Sequence, residues 1–372
     1  MIRRPTAQRA SGIVLVGTHP WTNSAFDRLL PRTLLPVAHR PLLSFALSWL
    51  HAAGIEEGAV CANRETQSLQ SRLLRHVPSG MRVTYHEDSM PRGAAGALRD
   101  AAGGSDADTF IVTDGTSIPN VDIAALLDFH QSSGALVTVV VNQERGRHGN
   151  PCLHVPSGTY VCSREALEGV PTTGFFDLKE NLIPQLYRSG GSVLGYVAPG
   201  TTPRVLDASS YMAINEWMVE RLTQSDEVLG DYVRTGACLR HSDARVSDSA
   251  LLVGPVMVEA GAEIGPGAVI VGPTSIGRDA SVGAGALVSR SAIWRRSSLG
   301  EQSVTDRCIL ADDAVVPARS RAFRTVMFAH FRDVTAAQHS ARRLTDPVPS
   351  DLLRRMRRAF TGAALSRSPA PQ

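Results

Sequence analysis

Lysine is almost missing from this chain. Of its 38 basic residues only Lys179 is a lysine and the rest are arginine, so a mechanism that needs a lysine must use Lys179 or do without one. Cysteine is scarce and scattered. Cys61, Cys152, Cys162, Cys238 and Cys308 form no CxxC pair and are odd in number, which excludes a disulfide-built scaffold and points to reduced thiols in a cytoplasm. No apolar run approaches the ~18–20 residues that span a bilayer. The opening MIRRPTAQRASGIVLVG has too few apolar residues for a signal-peptide core. Histidine is absent between Val246 and Val316.

What the chain has is 372 residues, 43% of them hydrophobic and 20% charged, enough for two or three domains with real cores. Its net charge of +3 is unevenly spread: residues 332–372 carry eight arginines against three aspartates, leaving a weakly acidic body. Nucleic-acid binding would need clustered basic charge on a folded domain, so no nucleic-acid partner is expected. Within the tail, SDLLRRMRRAF (350–360) places Leu352, Leu353, Met356, Ala359 and Phe360 on one helical face and four arginines on the other. A helix of about ten residues suits packing on its own protein or a partner better than lying on an anionic membrane. Residues 1–11 and the final SRSPAPQ read as disordered.

From residue 12 to about 228 strands and helices alternate. GIVLVG (12–17) reads as a buried strand, and LLSFALSWLHAA after Pro41 as a helix stopped at Gly54. A strand over 59–62 precedes a helix with Leu69, Leu73 and Leu74 on one side. MRVTYH, TFIVT, ALVTVVV and a stretch near 158–162 read as strands. GAAGALRDAA (93–102), VDIAALLDFHQSS closed by Gly134, a helix opening at Asp177 with Glu180 as its capping box, and 208–223 read as helices. Repeated β–α–β units predict a mostly parallel sheet covered on both faces.

The grammar changes near residue 244. Val246, Leu252, Val258, Ile264, Ile270, Ile276, Val282 and Val288 recur every six residues, each preceded two positions earlier by a residue that is nearly always small, from Ala244 to Ala286. A six-residue period with a branched residue inward and a small one at the corner builds a parallel β-helix, three repeats to a coil. The register slips after Trp294 and resumes at Val304, Leu310 and Val316, which predicts an interrupting loop and about four coils over 240–320. A helical basic tail is expected over 321–372.

An α/β domain followed by hexapeptide repeats resembles the sugar-phosphate nucleotidylyltransferases, above all the mannose-1-phosphate guanylyltransferase-like branch. LLPVAHRPLLSFALSWLHAAGIEE (34–57) resembles that family's LLPVxGKPLLEYxLExLxxAGI. EDSMPRGAAGAL (87–98), FIVTDGTSIPNVDIAALLDFHQSSGA (110–135) and FDLKENLIPQL (176–186) resemble further family segments in the same order. The resemblance covers roughly residues 12–320. It implies a Rossmann-like nucleotidyltransferase domain with a mostly parallel sheet, followed by a left-handed parallel β-helix.

It also implies a chemistry, in which a sugar 1-phosphate oxygen attacks the α-phosphorus of a nucleoside triphosphate and releases pyrophosphate. That anionic transition state needs loop amides, fixed cations and Mg²⁺ held by carboxylates. The family's GGxGTRLxPLTxxxPK aligns without a gap on GTHPWTNSAFDRLLPR (17–32). Gly17 is kept. Thr18 and Pro20 stand at glycine positions, Thr22 at the arginine and Arg32 at the lysine. Proline has no N–H to give a phosphate. The first metal aspartate of the family aligns with Thr116, with Asp114 two residues earlier as a substitute, although Asp114–Gly115 also suits a turn. Asp207 matches the second, and equally suits a helix N-cap. The EKP segment that contacts the sugar phosphate is missing, and Lys179 does not replace it. Gly93 and Gly96 lie in a segment near the base in the family, and also fit close helix–sheet packing.

Two functions compete. One is a catalytically degenerate homologue that binds a nucleotide or nucleotide-sugar and acts as a regulatory or assembly subunit, as a homo-oligomer or with an active homologue, and with no cofactor. The other is an active nucleotidylyltransferase with a remodelled loop, using Mg²⁺ with Arg32, Asp114 and Asp207. Acyl transfer, a third chemistry of such β-helices, lacks its histidine.

Overall fold

The computed structural model describes residues 9–17, 30–62, 66–88, 90–144, 153–225 and 230–329. Thr18, Pro20, Thr22, Cys152 and the 350–360 segment lie outside them. The chain divides into two units between Ile214 and Asn215.

The first unit holds a seven-stranded sheet built from β1 (Ala10–Val16), β2 (Glu57–Ala62), β3 (Arg82–Glu87), β4 (Thr109–Asp114), β5 (Val137–Glu144), β6 (Leu153–Ser163) and β7 (Val193–Ala198). Its spatial order is β3-β2-β1-β4-β6-β5-β7. β3, β2, β1 and β4 are mutually parallel, β6 runs against β4 and β5, and β7 is parallel to β5. β7 escaped the sequence reading because VLGYVA has a glycine at its centre and little alternation.

Side chains alternate across these strands, so both faces are apolar and both are covered. On one face α3 (Gly93–Ala102) and α5 (Ile183–Arg188) pack over Ile13, Cys61, Phe110, Val112 and Tyr160. On the other, α1 (Leu42–Ala52) and α2 (Thr66–Leu73) cover Val14, Val16, Val60 and Ile111, while α4 (Ile123–Ser133) sets Leu126 against Val140 and Val161. Leu69 and Leu73 are buried as the period requires, but Leu74 lies past the end of α2 and is exposed. Asp122 caps α4 by accepting from the Ala125 amide, and Gly134 closes it in the left-handed region. Asp177 accepts from the amides of Lys179 and Glu180, but the reciprocal bond to the Asp177 amide comes from Asn181 rather than Glu180. The first turn is a wide one over Leu178–Leu182, which brings the next residue into reach.

Cys61, Cys162, Cys238 and Cys308 are free and buried. Burial pushes the Cys61 and Cys162 thiols up to about 12 and that of Cys308 to about 11. His130 is also buried, its Nδ1 2.8 Å from Thr138 Oγ1 and its Nε2 3.0 Å from Ser163 Oγ. Burial pushes its pKa down, so it folds neutral. Below its ordinary value of ~6.5 the unfolded chain binds a proton that the folded one refuses, and stability falls with pH. A His130→Gln variant should lose less stability between about pH 6.5 and pH 5 than the unmodified chain. Equal slopes in melting temperature against pH would exclude this role.

α6 (Ala208–Gln224) crosses the unit boundary. In the second unit, β8 (Tyr232–Thr235) and β9 (Cys238–His241) form a hairpin, and β9 starts the first face of a three-sided β-helix. That face continues through Val256–Val258, Thr274–Ile276, Ala292–Ile293, Ile309–Leu310 and Val326–Met327, and the other two faces each stack five short parallel strands. The coils therefore run past residue 320. Val258, Ile264, Ile270, Ile276, Val282 and Val288 fill the prism, with Ala262, Ala268, Ala280 and Ala286 at its corners.

No loop interrupts the prism. Val256 pairs with Thr274, eighteen residues on, but Ser275 pairs with Ala292 and Ala292 with Ile309, each seventeen on. One residue is lost at the corner after Ser289 and again after Asp306 and Phe323. The inward column moves accordingly to Ile293, Leu299 and Thr305, then to Leu310, Val316 and Ala322. Val304, read from the sequence as inward, is only half-buried and packs with Val269, Val271 and Leu287 outside the central column. Each shortened corner turns on an arginine with positive φ: Arg290, Arg307 and Arg324.

Candidate functional site

In the first unit the carboxyl ends of β1 and β4 lie side by side, Leu15 in register with Asp114, and the Gly115 amide donates to Leu15 O at 2.9 Å. Parallel α/β sheets bind ligands at this end of their strands. Gly17, just past β1, is exposed and has open space where a side chain would go. Gly115 has no such room: a Cβ would sit 3.1 Å from Thr33 Cγ2 and 3.3 Å from Leu15 O. This brings Thr33 against the turn that follows Asp114.

Asp114 is heavily engaged. Its Oδ1 accepts from the Thr116 amide at 2.8 Å and the Thr116 hydroxyl at 2.7 Å, an Asx turn. Its Oδ2 lies 3.4 Å from Arg204 Nη2. Arg204 was not anticipated from the sequence. It is placed by the strand-like pairing of residues 203–205 with 116–118: Val205 N donates to Thr116 O, Ile118 N donates to Pro203 O, and Arg204 bridges Ser117. The same Nη2 donates to Ser157 O at 3.2 Å. Beneath it is Gly158, at φ +88°, where a Cβ would lie 2.1 Å from Arg204 Nη2. A glycine inside a strand marks a close approach, and that signal was available in SGTYV.

Asp207 precedes α6. Its Oδ1 accepts from the Ser210 amide at 2.7 Å and from the Ser210 hydroxyl at 2.8 Å, while Ser210 Oγ accepts from the Asp207 amide. This reciprocal pair is a helix cap. The Ser210 bonds hold the Asp207 carboxyl below its ordinary range, and the charge of Arg32 adds to the effect. Tyr211 in the same turn is fully buried and donates to Pro36 O at 2.5 Å. Two acid–arginine pairings are therefore described here, Asp207 with Arg32 and Asp114 with Arg204.

Gly93 and Gly96 sit at a packing junction. The Ala95 and Gly96 amides both donate to Phe176 O at 3.1 Å, and a Cβ on Gly93, at φ +73°, would lie 2.6 Å from that oxygen. On Gly96 it would lie 2.8 Å from Arg92 Cβ. The amides at this end of α3 that a phosphate would use are therefore partly spent.

Residues 5–150 match the family model described as nucleotidyl transferase. Among curated proteins, a mannose-1-phosphate guanylyltransferase of Mycobacterium tuberculosis is 27% identical over 68% of this chain and 76% of its own length. The chain is thus similar to the sugar-phosphate nucleotidylyltransferases. A UTP–glucose-1-phosphate uridylyltransferase of Synechocystis is 23% identical over 62% of the chain and 68% of that protein. A mannose-1-phosphate guanyltransferase of Candida albicans is 27% identical over 36% of the chain, a match that spans 37% of that relative.

The family typically uses Mg²⁺, an ion that wants oxygens in octahedral array, commonly from one or two carboxylates and the substrate's phosphates. The described site offers such an ion poor donors. Asp114 and Asp207 each have one oxygen taken by two hydrogen bonds, and each stands beside an arginine. Among the described residues no group of three or more His, Cys, Asp and Glu side chains could hold a metal. Asp114 and Asp207, as they are engaged here, do not fit the ion. No helix among the described residues is long and apolar enough to cross a membrane.

Proposed function

We propose that this chain is a catalytically degenerate nucleotidylyltransferase that binds a nucleoside diphosphate-sugar and acts as a regulatory or assembly subunit beside further copies of itself or a working homologue. The observation that carries the reading is the engagement of Asp114 by Thr116 and Arg204 where catalysis would need a free metal carboxylate. The sequence adds Thr18, Pro20 and Thr22 at positions where the family has two phosphate-loop glycines and an arginine. Losing one donor to a developing anion costs about 10²–10³ in rate, and losses of several such groups compound even when not additive.

GDP-mannose is the first ligand to try, since the guanylyltransferase relative covers most of the chain. With Mg²⁺, GTP and mannose 1-phosphate, or UTP and glucose 1-phosphate, pyrophosphate release should stay at background, while calorimetry with GDP-mannose or UDP-glucose gives saturable heat. Turnover at about 1 s⁻¹ or faster, the range of ordinary enzymes, would replace this reading with that of an active enzyme using Arg32, Asp114 and Asp207.

A further inference from the structure

A functional metal carboxylate and a well-placed arginine make opposite electrostatic demands on one site. The arginine at Asp114 is built in: Arg204 is fixed by backbone pairing to residues 116–118, seated on Gly158, and tied to Ser157 O and Asp114. Both ties use Nη2. Its Nε and Nη1 have no hydrogen-bond partner among the described residues, and about a quarter of the side chain is open to solvent. The guanidinium therefore keeps most of its fork of N–H donors for something else, and a phosphate is the group that fork matches best.

A second, independent observation points the same way. Tyr160, in β6 two residues beyond Gly158, is 4% exposed, yet its hydroxyl has no hydrogen-bond partner among the described residues. Arg204, Asp177 and Asp114 all lie close enough for their charges to act on it. A buried hydroxyl without a partner costs free energy that a ligand oxygen would recover.

We propose that Arg204 is the ligand-recognition residue of this site, binding the diphosphate of a nucleoside diphosphate-sugar directly and without a divalent cation, with the Tyr160 hydroxyl as an additional donor. This rests on the ligand-binding role proposed above. A divalent cation at Asp114 Oδ2 would have to share the carboxylate with a guanidinium already 3.4 Å away, and like charges that close repel. A guanidinium sheds its weakly held water more readily than Mg²⁺ and brings its geometry with it.

The test is calorimetry of the full chain with GDP-mannose and with UDP-glucose, in EDTA and in excess Mg²⁺. The affinity should agree within about twofold between the two buffers, and Arg204→Gln should weaken it at least about tenfold. Arg204→Lys should recover part of the loss. Tyr160→Phe should weaken binding about threefold while leaving the melting temperature equal or higher, a combination that a packing role would not give. Binding that requires Mg²⁺ overturns the inference and leaves the ligand role standing. So does an Arg204→Gln variant that melts normally and binds as before. Should that variant fail to fold, Arg204→Lys and Tyr160→Phe decide, and unchanged affinity in both overturns the inference. No heat with either ligand in either buffer removes the ligand role and this inference with it.

Discussion

Gly158→Ala is expected to destabilise the first unit by about 1–3 kcal/mol, chiefly through backbone strain. Two causes add. At φ +88° a side chain is strained wherever it points, and the new Cβ would meet Arg204 Nη2 at 2.1 Å. The guanidinium must move, which strips Ser157 O and the Asp114 carboxylate of their shared partner. Urea unfolding followed by a probe in the first unit should show a lower midpoint with an unchanged slope. Gly17→Ala is the control, because no described residue lies within 4 Å of its added carbon and its φ is not positive. Equal stability of the two variants would mean that residue 158 does not hold its left-handed backbone conformation in solution.

Ile276→Ala should cost the β-helix about 2–5 kcal/mol. Ile276 is fully buried and stacked between Val258 one coil before and Ile293 one coil after, its partners in the two parallel ladders. The chain on either side is held in those ladders, so the void cannot collapse. A stack of coils is stabilised by nearest-neighbour contacts, so position along it sets the cost. Met327→Ala, at the half-buried end of the same column, should cost clearly less. Chemical denaturation of the two variants checks the order, and equal losses would mean that the coils do not behave as a linear stack.

The sequence reading succeeded where one pattern dominated and failed where a single residue changed the pattern. Sixteen positions at a six-residue period announced the prism, because only a repeated structural unit keeps such a period. Val304 was misread as inward because losing one residue at a corner passes the inward role to its neighbour, here Thr305, much as a slip of one residue does in any strand. Leu74 fitted the apolar stripe of α2 but lay beyond its last turn.

At the site, the sequence points to Asp114 and Asp207, with turn and cap chemistry as their alternatives. The structure shows both engaged in those ways, Asp114 with Thr116 and Asp207 with Ser210. Arg204 escaped notice because its partners lie 47 and 90 residues earlier in the chain, joined to it only through the pairing of 203–205 with 116–118. Tyr160 looked like one more aromatic in a buried strand. Its unsatisfied hydroxyl is a property of packing, and no local pattern of residues announces it.

The three short corners show where the prism is indifferent to length. Arg290, Arg307 and Arg324 each head a turn one residue shorter than the corners before it, in coils that follow one another without a break. The ladders on either side pair continuously across the change, Val271 with Ser289 before the first short corner and Ser275 with Ala292 after it. This corner therefore accepts two chain lengths while the strands it joins keep their stacking.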